Sequence, residues 1–155
     1  MDPWPTGTKS WGRASGPVTR TGAGRCRRKG ATKSDVTDLI DCYISAWNEG
    51  DAERRQKLIA RAWTPDACYV DPMLESEGHA GIDGMIRSVQ ARFPEHRFRR
   101  TSEVEAHHDR LRFTWELAPA SGPAMVKGTD IGILADGRLQ AMIGFFDQLP
   151  PGAGQ

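Results

Sequence analysis

Apolar residues recur at three- and four-residue intervals along Val36, Leu39, Ile40, Tyr43, Ile44 and Trp47, the spacing that lines one face of an amphipathic helix. Ser34 is a good N-cap ahead of them, and Asp35 and Asp38 place negative charge in the first turn, where it suits the helix dipole. Gly50 supplies the stop. Asp51 caps a second helix with the apolar set Leu58, Ile59, Ala62 and Trp63; Pro65 disfavours helix in the residue before it, so this helix ends near Thr64. The short apolar run 67–70 reads as a strand ending at Asp71-Pro72. A polar loop through His79 leads to a third helix, in which Ile82, Met85, Ile86, Val89 and Phe93 share a face and Pro94 closes the end.

Beyond Pro94 the apolar period changes from about 3.6 to 2, the sign of strands. Residues 98–106 alternate moderately, and Leu111, Phe113, Trp115 and Leu117 alternate with Arg112, Thr114 and Glu116. A turn over 119–123 precedes two last strands, 125–134 and 139–146, joined across Asp136-Gly137, a strong hairpin signal. Helices first and antiparallel strands afterwards predict an α+β fold. The expected form is a cone-shaped barrel, with three N-terminal helices packed on a strongly curved, mostly antiparallel sheet. Such a cone is blind at one end and is the natural ligand site.

A length of 155 residues suits one domain. The net charge of +1 conceals a division: residues 1–33 carry eight of the 21 Lys and Arg but one of the 20 acidic residues, or +7, which leaves −6 for the rest. We expect 1–33 to be a disordered basic leader, because it has almost no aliphatic residues to bury; 34–149 is the folded domain and 150–155 a C-terminal tail. An acidic core repels phosphate backbones, so nucleic acid is not an expected partner of the folded part. No long apolar run predicts a membrane span, and the three cysteines lack CxxC spacing, which points away from a disulfide framework or zinc knuckle and towards the cytoplasm.

Three polar residues stand where the pattern favours apolar ones. Asp130 lies inside a predicted strand, so it either faces solvent or sits in the cone with its pKa raised by desolvation. Asp71, forced towards extended backbone by Pro72, either forms a turn or projects from the sheet rim into the cone. Tyr43 is on the apolar face of the first helix, as core filler or as a catalytic phenol. The string from Tyr43 through Trp47 to Asp51, then Val70-Asp71-Pro72, then Gly128-Thr129-Asp130 with a hairpin shortly after, resembles the SnoaL-like branch of the nuclear transport factor 2-like superfamily over about residues 34–149.

Within that superfamily the spacing is similar to ketosteroid isomerase. The resemblance implies Asp71 as general base, with Tyr43 and Asp130 as hydrogen-bond donors to an oxyanion, and it implies a homodimer through the sheet. Polyketide cyclase chemistry at Asp130 is the neighbouring option; an epoxide-hydrolase reading expects an Arg where Gly128 stands. By strand parity Phe113, Trp115, Leu117, Met142 and Phe146 are candidates to line the cone, joined by Trp47 and Trp63 from the helices and by His79 from the loop over the mouth. His107 and His108 beside Asp109-Arg110 read as a hairpin turn, and no metal or cofactor is expected. The expected activity is acid/base chemistry next to the carbonyl of an apolar small molecule, of isomerase or cyclase type. The rival reading is a non-catalytic module for ligand binding or dimerisation.

Overall fold

A computed structural model describes residues 32–152, so the expectations for the leader and for the last three residues fall outside the described part. Helix α1 runs over Lys33–Asn48. Its N-cap is Thr32 and not Ser34: Thr32 and Asp35 bond each other's backbone reciprocally, which satisfies two amides where a cap at Ser34 would satisfy fewer. Helix α2 spans Ala52–Ala62, with the Asp51 side chain accepting from the Arg54 amide. Trp63 and Thr64 already belong to strand β1, Trp63–Val70, because the extended backbone imposed before Pro65 reaches back into the parallel pairing of Trp63 with Leu139.

The loop expected before the third helix contains a short strand, β2, Glu75–Glu77, which pairs antiparallel with β1. Helix α3, Gly78–Arg92, starts directly after it, at a glycine with φ of +72°. The stretch 98–106 is two strands, β3 (His96–Arg100) and β4 (Glu105–His107), both antiparallel to β5 (Arg110–Pro119). His108, at φ +52°, turns the chain between β4 and β5. Strands β6 (Val126–Ala135) and β7 (Arg138–Gln148) form the expected hairpin across Asp136 and Gly137, both at positive φ as a type I′ turn requires.

The strand order is β2-β1-β7-β6-β5-β3, with β4 also on β5. Only β1 and β7 are parallel among the described pairs, so the sheet is mostly antiparallel, and it is open rather than closed upon itself. The helices pack on one face. There the inward residues of β5 (Leu111, Phe113, Trp115, Leu117) meet Ile40, Tyr43 and Trp47 of α1 and Ile82 and Ile86 of α3 in one core. Two irregularities in the β6–β7 ladder each insert an extra residue in β7, between Leu139 and Ala141 and between Phe146 and Gln148. The first shifts the inward side of β7 from Leu139 to Met142 and Gly144, and this shift positions the site.

A buried ion pair ties the helices together. Arg55 of α2, 2% exposed, donates from Nε to Asp83 Oδ1 of α3 at 2.6 Å and from Nη1 to the Glu49 carbonyl after α1 at 3.0 Å. Gln90 of α3 reaches back to the carbonyls of Trp47 and Glu49. Nothing in the helical periodicity marked Arg55 as an inward residue.

Candidate functional site

Asp130 is inside, not out in solvent: its position on β6 faces the helices, and it is 2% exposed. Its register partner on β7 is Gly144. On the other side of β7, Val70 of β1 pairs with Ile143, so Asp71, the next residue, comes level with Gly144. The two carboxylates therefore flank one glycine across three strands. A side chain at 144 would begin 3.1 Å from Asp130 Oδ1, 3.1 Å from Asp71 Cβ and 3.3 Å from the Tyr69 hydroxyl. Glycine leaves that space open, and the three polar groups converge on it.

Each carboxylate has its own donors. Tyr43 donates to Asp130 Oδ2 and Trp115 Nε1 donates to Asp130 Oδ1, both at 2.8 Å. Tyr69 donates to Asp71 Oδ2 at 2.8 Å, while Asp71 Oδ1 accepts from the amides of Met73 and Leu74 at 2.8 and 2.7 Å. The Asp71 amide in turn donates to the Leu74 carbonyl, so the turn expected at Asp-Pro and the projection into the cone are both realised by one residue.

Burial penalises the charged form of Asp130 and pushes its carboxyl up to about 6; the bonds from Tyr43 and Trp115 oppose this, and the nearby Asp71 charge adds to it. Burial, and then the charge of Asp130, hold the Tyr43 and Tyr69 phenols far above their ordinary value, so both keep their protons. The site thus offers a carboxylate with a fixed orientation beside a carboxyl whose proton affinity burial has raised. That pair can take a proton from one atom of a ligand and give a hydrogen bond to another.

These groups line a cavity of about 210 Å³. Of the residues predicted to line it, Trp47, Trp115, Leu117 and Phe146 do so. Trp63, Phe113, Met142 and His79 do not. Trp63 and Phe113 pack their rings against Tyr43 at centroid distances of 5.6 and 5.9 Å, behind the cavity wall. Met142 is wholly buried, opposite Tyr69 in the β1–β7 register, and packs in the core. His79 is in the first turn of α3, not in a loop over the mouth, and its Nε2 lies 3.0 Å from the Trp63 carbonyl.

Sequence reasoning missed Tyr69, Phe98, Val89, Phe93 and Arg92, which all line the cavity. Tyr69 was legible from period-two alternation, two residues before Asp71. The α3 residues carried no such signal, because a helix face that lines a cavity has the same apolar pattern as one that fills a core.

A family model described as the SnoaL-like domain matches residues 40–142. A SnoaL-like family protein from Agrobacterium tumefaciens, provisionally named an isomerase, is 35% identical with a TM-score of 0.70; the match covers 74% of this chain and 99% of that one. In fold the chain is also similar to a provisionally named polyketide cyclase from Sinorhizobium meliloti (15% identity, TM-score 0.57, covering 73% of this chain and 98% of that one). A provisionally named ketosteroid isomerase from Kribbella flavida has the same fold (17% identity, TM-score 0.57, covering 77% and 84%). No curated protein matches the chain.

Proposed function

The chain belongs to the SnoaL-like family, and we propose that it is an enzyme that moves a proton next to the carbonyl of a small apolar molecule, using its own side chains as acid and base. One observation carries the reading: Asp71 and Asp130 stand on either side of Gly144 and both line one apolar cavity. Asp71 is the base. Its Oδ1 is occupied by two backbone amides, so Oδ2, which accepts from the Tyr69 hydroxyl, is the oxygen that takes the proton.

Asp130 in its protonated form donates to the carbonyl oxygen, where negative charge develops in the transition state. Tyr43 acts through Asp130 and not on the ligand, since its hydroxyl already donates its hydrogen bond to Asp130 Oδ2; it is a positioning residue. The cavity of about 210 Å³ exceeds the roughly 150 Å³ that admits one benzene ring, which favours one or two rings over the four of a steroid. Isomerisation and cyclisation of a polyketide-type chain both begin with this proton transfer.

Deuterium exchange at the carbons next to the carbonyl of 2-tetralone in heavy water tests the reading. The wild type should accelerate it and Asp71→Asn should abolish the acceleration, while the ligand still quenches Trp47 and Trp115 fluorescence. A fully active Asp71→Asn variant would remove Asp71 from the mechanism.

A specific observation also favours self-association. On the outer sheet face Val70 and Phe145 are 41% and 51% exposed, next to Ile143 and Ile131, which share a register row with Val70. A second copy packing there would cover them, and light scattering of Val70→Lys/Phe145→Lys should report a monomer. Cys42 and Cys68 are both free, which fits a reducing cytoplasm, and no helix among the described residues is long and apolar enough to cross a membrane.

A further inference from the structure

The cavity lining is apolar except in two places. Asp130, 2% exposed, lies deep with Tyr43 and Tyr69, beside the half-buried Asp71; Arg92, in the last turn of α3, is exposed and is the one basic residue among those that line the cavity. Its neighbours Val89 and Phe93 line the same wall, so the Arg92 stem runs along the cavity side of the helix, and the residue as a whole is exposed. Arg92 pairs with no acidic side chain among the described residues, and neither do Arg54, Arg61, Arg97 and Arg138, but of these only Arg92 lines the cavity. A cation at a helix C-terminus has a use of its own, in offsetting the helix dipole, but that use does not require it to border a ligand cavity.

From this polarity we propose that Arg92 binds a carboxylate on the substrate, so that the substrate class is a one- or two-ring carbonyl compound with a carboxylate at the end away from Asp71 and Asp130. The inference rests on the catalytic reading above and names its substrate. The Asp71 carboxylate repels an anion and the Arg92 guanidinium attracts one, so a ligand of this kind has one favourable orientation, carbonyl towards Asp71 and Asp130 and carboxylate towards Arg92. A single guanidinium fork matches the two oxygens of a carboxylate. A phosphate would need further donors, and the rest of the nearby rim, Val89, Phe93 and Leu149, has no side-chain donor.

The test is isothermal titration with 4-acetylbenzoate and its neutral isostere 4-acetylbenzamide. The wild type should bind the carboxylate about tenfold more tightly than the amide, a preference that added salt erodes. Arg92→Gln should bring the two ligands to parity by weakening only the carboxylate, and Arg92→Lys should keep part of the preference. A purely helix-capping role would leave the ratio untouched.

A wild type without the preference, or an Arg92→Gln variant that keeps it, overturns the inference. If the amide binds and its methyl ketone exchanges deuterium while the carboxylate gains nothing, this inference falls and the catalytic reading stands. If neither ligand binds, both fall.

Discussion

Trp115 lies across Gly128, its register partner on the adjacent strand, and this close approach brings Trp115 Nε1 within 2.8 Å of Asp130 Oδ1. A Cβ at 128 would stand 2.3 Å from Trp115 Cζ2 and 2.6 Å from the Phe145 carbonyl oxygen. A rotamer change cannot relieve the backbone contact. Gly128→Ala is therefore expected to destabilise the fold by about 1–3 kcal/mol, as overpacked cores do, and to shift tryptophan emission. An unchanged urea midpoint would show that the strand yields more easily than this packing implies.

Gly144→Ala tests the convergence of the two carboxylates. The new methyl would sit 3.1 Å from Asp130 Oδ1 and from Asp71 Cβ, tight enough to push both aside by a few tenths of an ångström. Since misplaced groups lose rate steeply, turnover should fall by about tenfold or more while the melting temperature drops by only a few degrees. Deuterium exchange on 2-tetralone, together with a thermal melt, reads both.

Asp130 makes stability depend on pH in a defined sense. Its carboxyl is held at about 6 in the folded chain against 3.8 as the ordinary value, so folding favours the protonated form. The stabilisation from this group is complete below about pH 3.8 and is lost as pH rises through about 6, a change of about 3 kcal/mol by pH 7. Asp130→Asn removes that dependence and keeps the shape: its amide oxygen can accept from Trp115 and its NH₂ can donate to the Tyr43 oxygen. Denaturant unfolding at about pH 4 and 7 should show the flatter profile in the variant, with turnover lost if a donated proton is needed.

The Arg55–Asp83 pair is expected to be far more costly to break than to replace. Arg55→Met leaves Asp83, 8% exposed, with only the longer 3.5 Å contact to Arg87, and should cost about 3–5 kcal/mol. Arg55→Met/Asp83→Leu, which removes both charges, should recover most of that. Urea denaturation of the two variants side by side distinguishes a structural ion pair from one with no net effect.

Local chemistry made the elements readable. Asp51 caps its helix, Asp136-Gly137 turns the last hairpin, and the alternation from Leu111 to Leu117 faces the core as its period requires. The error at the first helix was local, since the Thr32–Asp35 capping box moved its start from Ser34. Two others occurred where a long-range pairing overrode the local pattern. Trp63 reads as helical by spacing, yet its pairing with Leu139 draws it into a strand; His79 reads as loop, yet β2 pairs with β1 and shortens that loop until α3 begins before it.

Of the candidate site, the identities of Tyr43, Asp71 and Asp130 were legible because each is a polar residue at a position where burial is expensive. Their mutual arrangement was not. Tyr43 meets Asp130 across 87 positions of chain, and Asp71 reaches Gly144 only because an extra residue in β7 shifts its inward side. Sequence alone determined the three helices, the long strands and the suspicious acids, since capping, turn and periodicity act over a few residues, but not the short strand β2 or the division of 98–106 into two strands. The tertiary structure alone decided that Tyr43 bonds Asp130, that Tyr69 bonds Asp71 and that Arg92 lines the same cavity, since strand register and helix docking are set by packing between segments far apart in the chain.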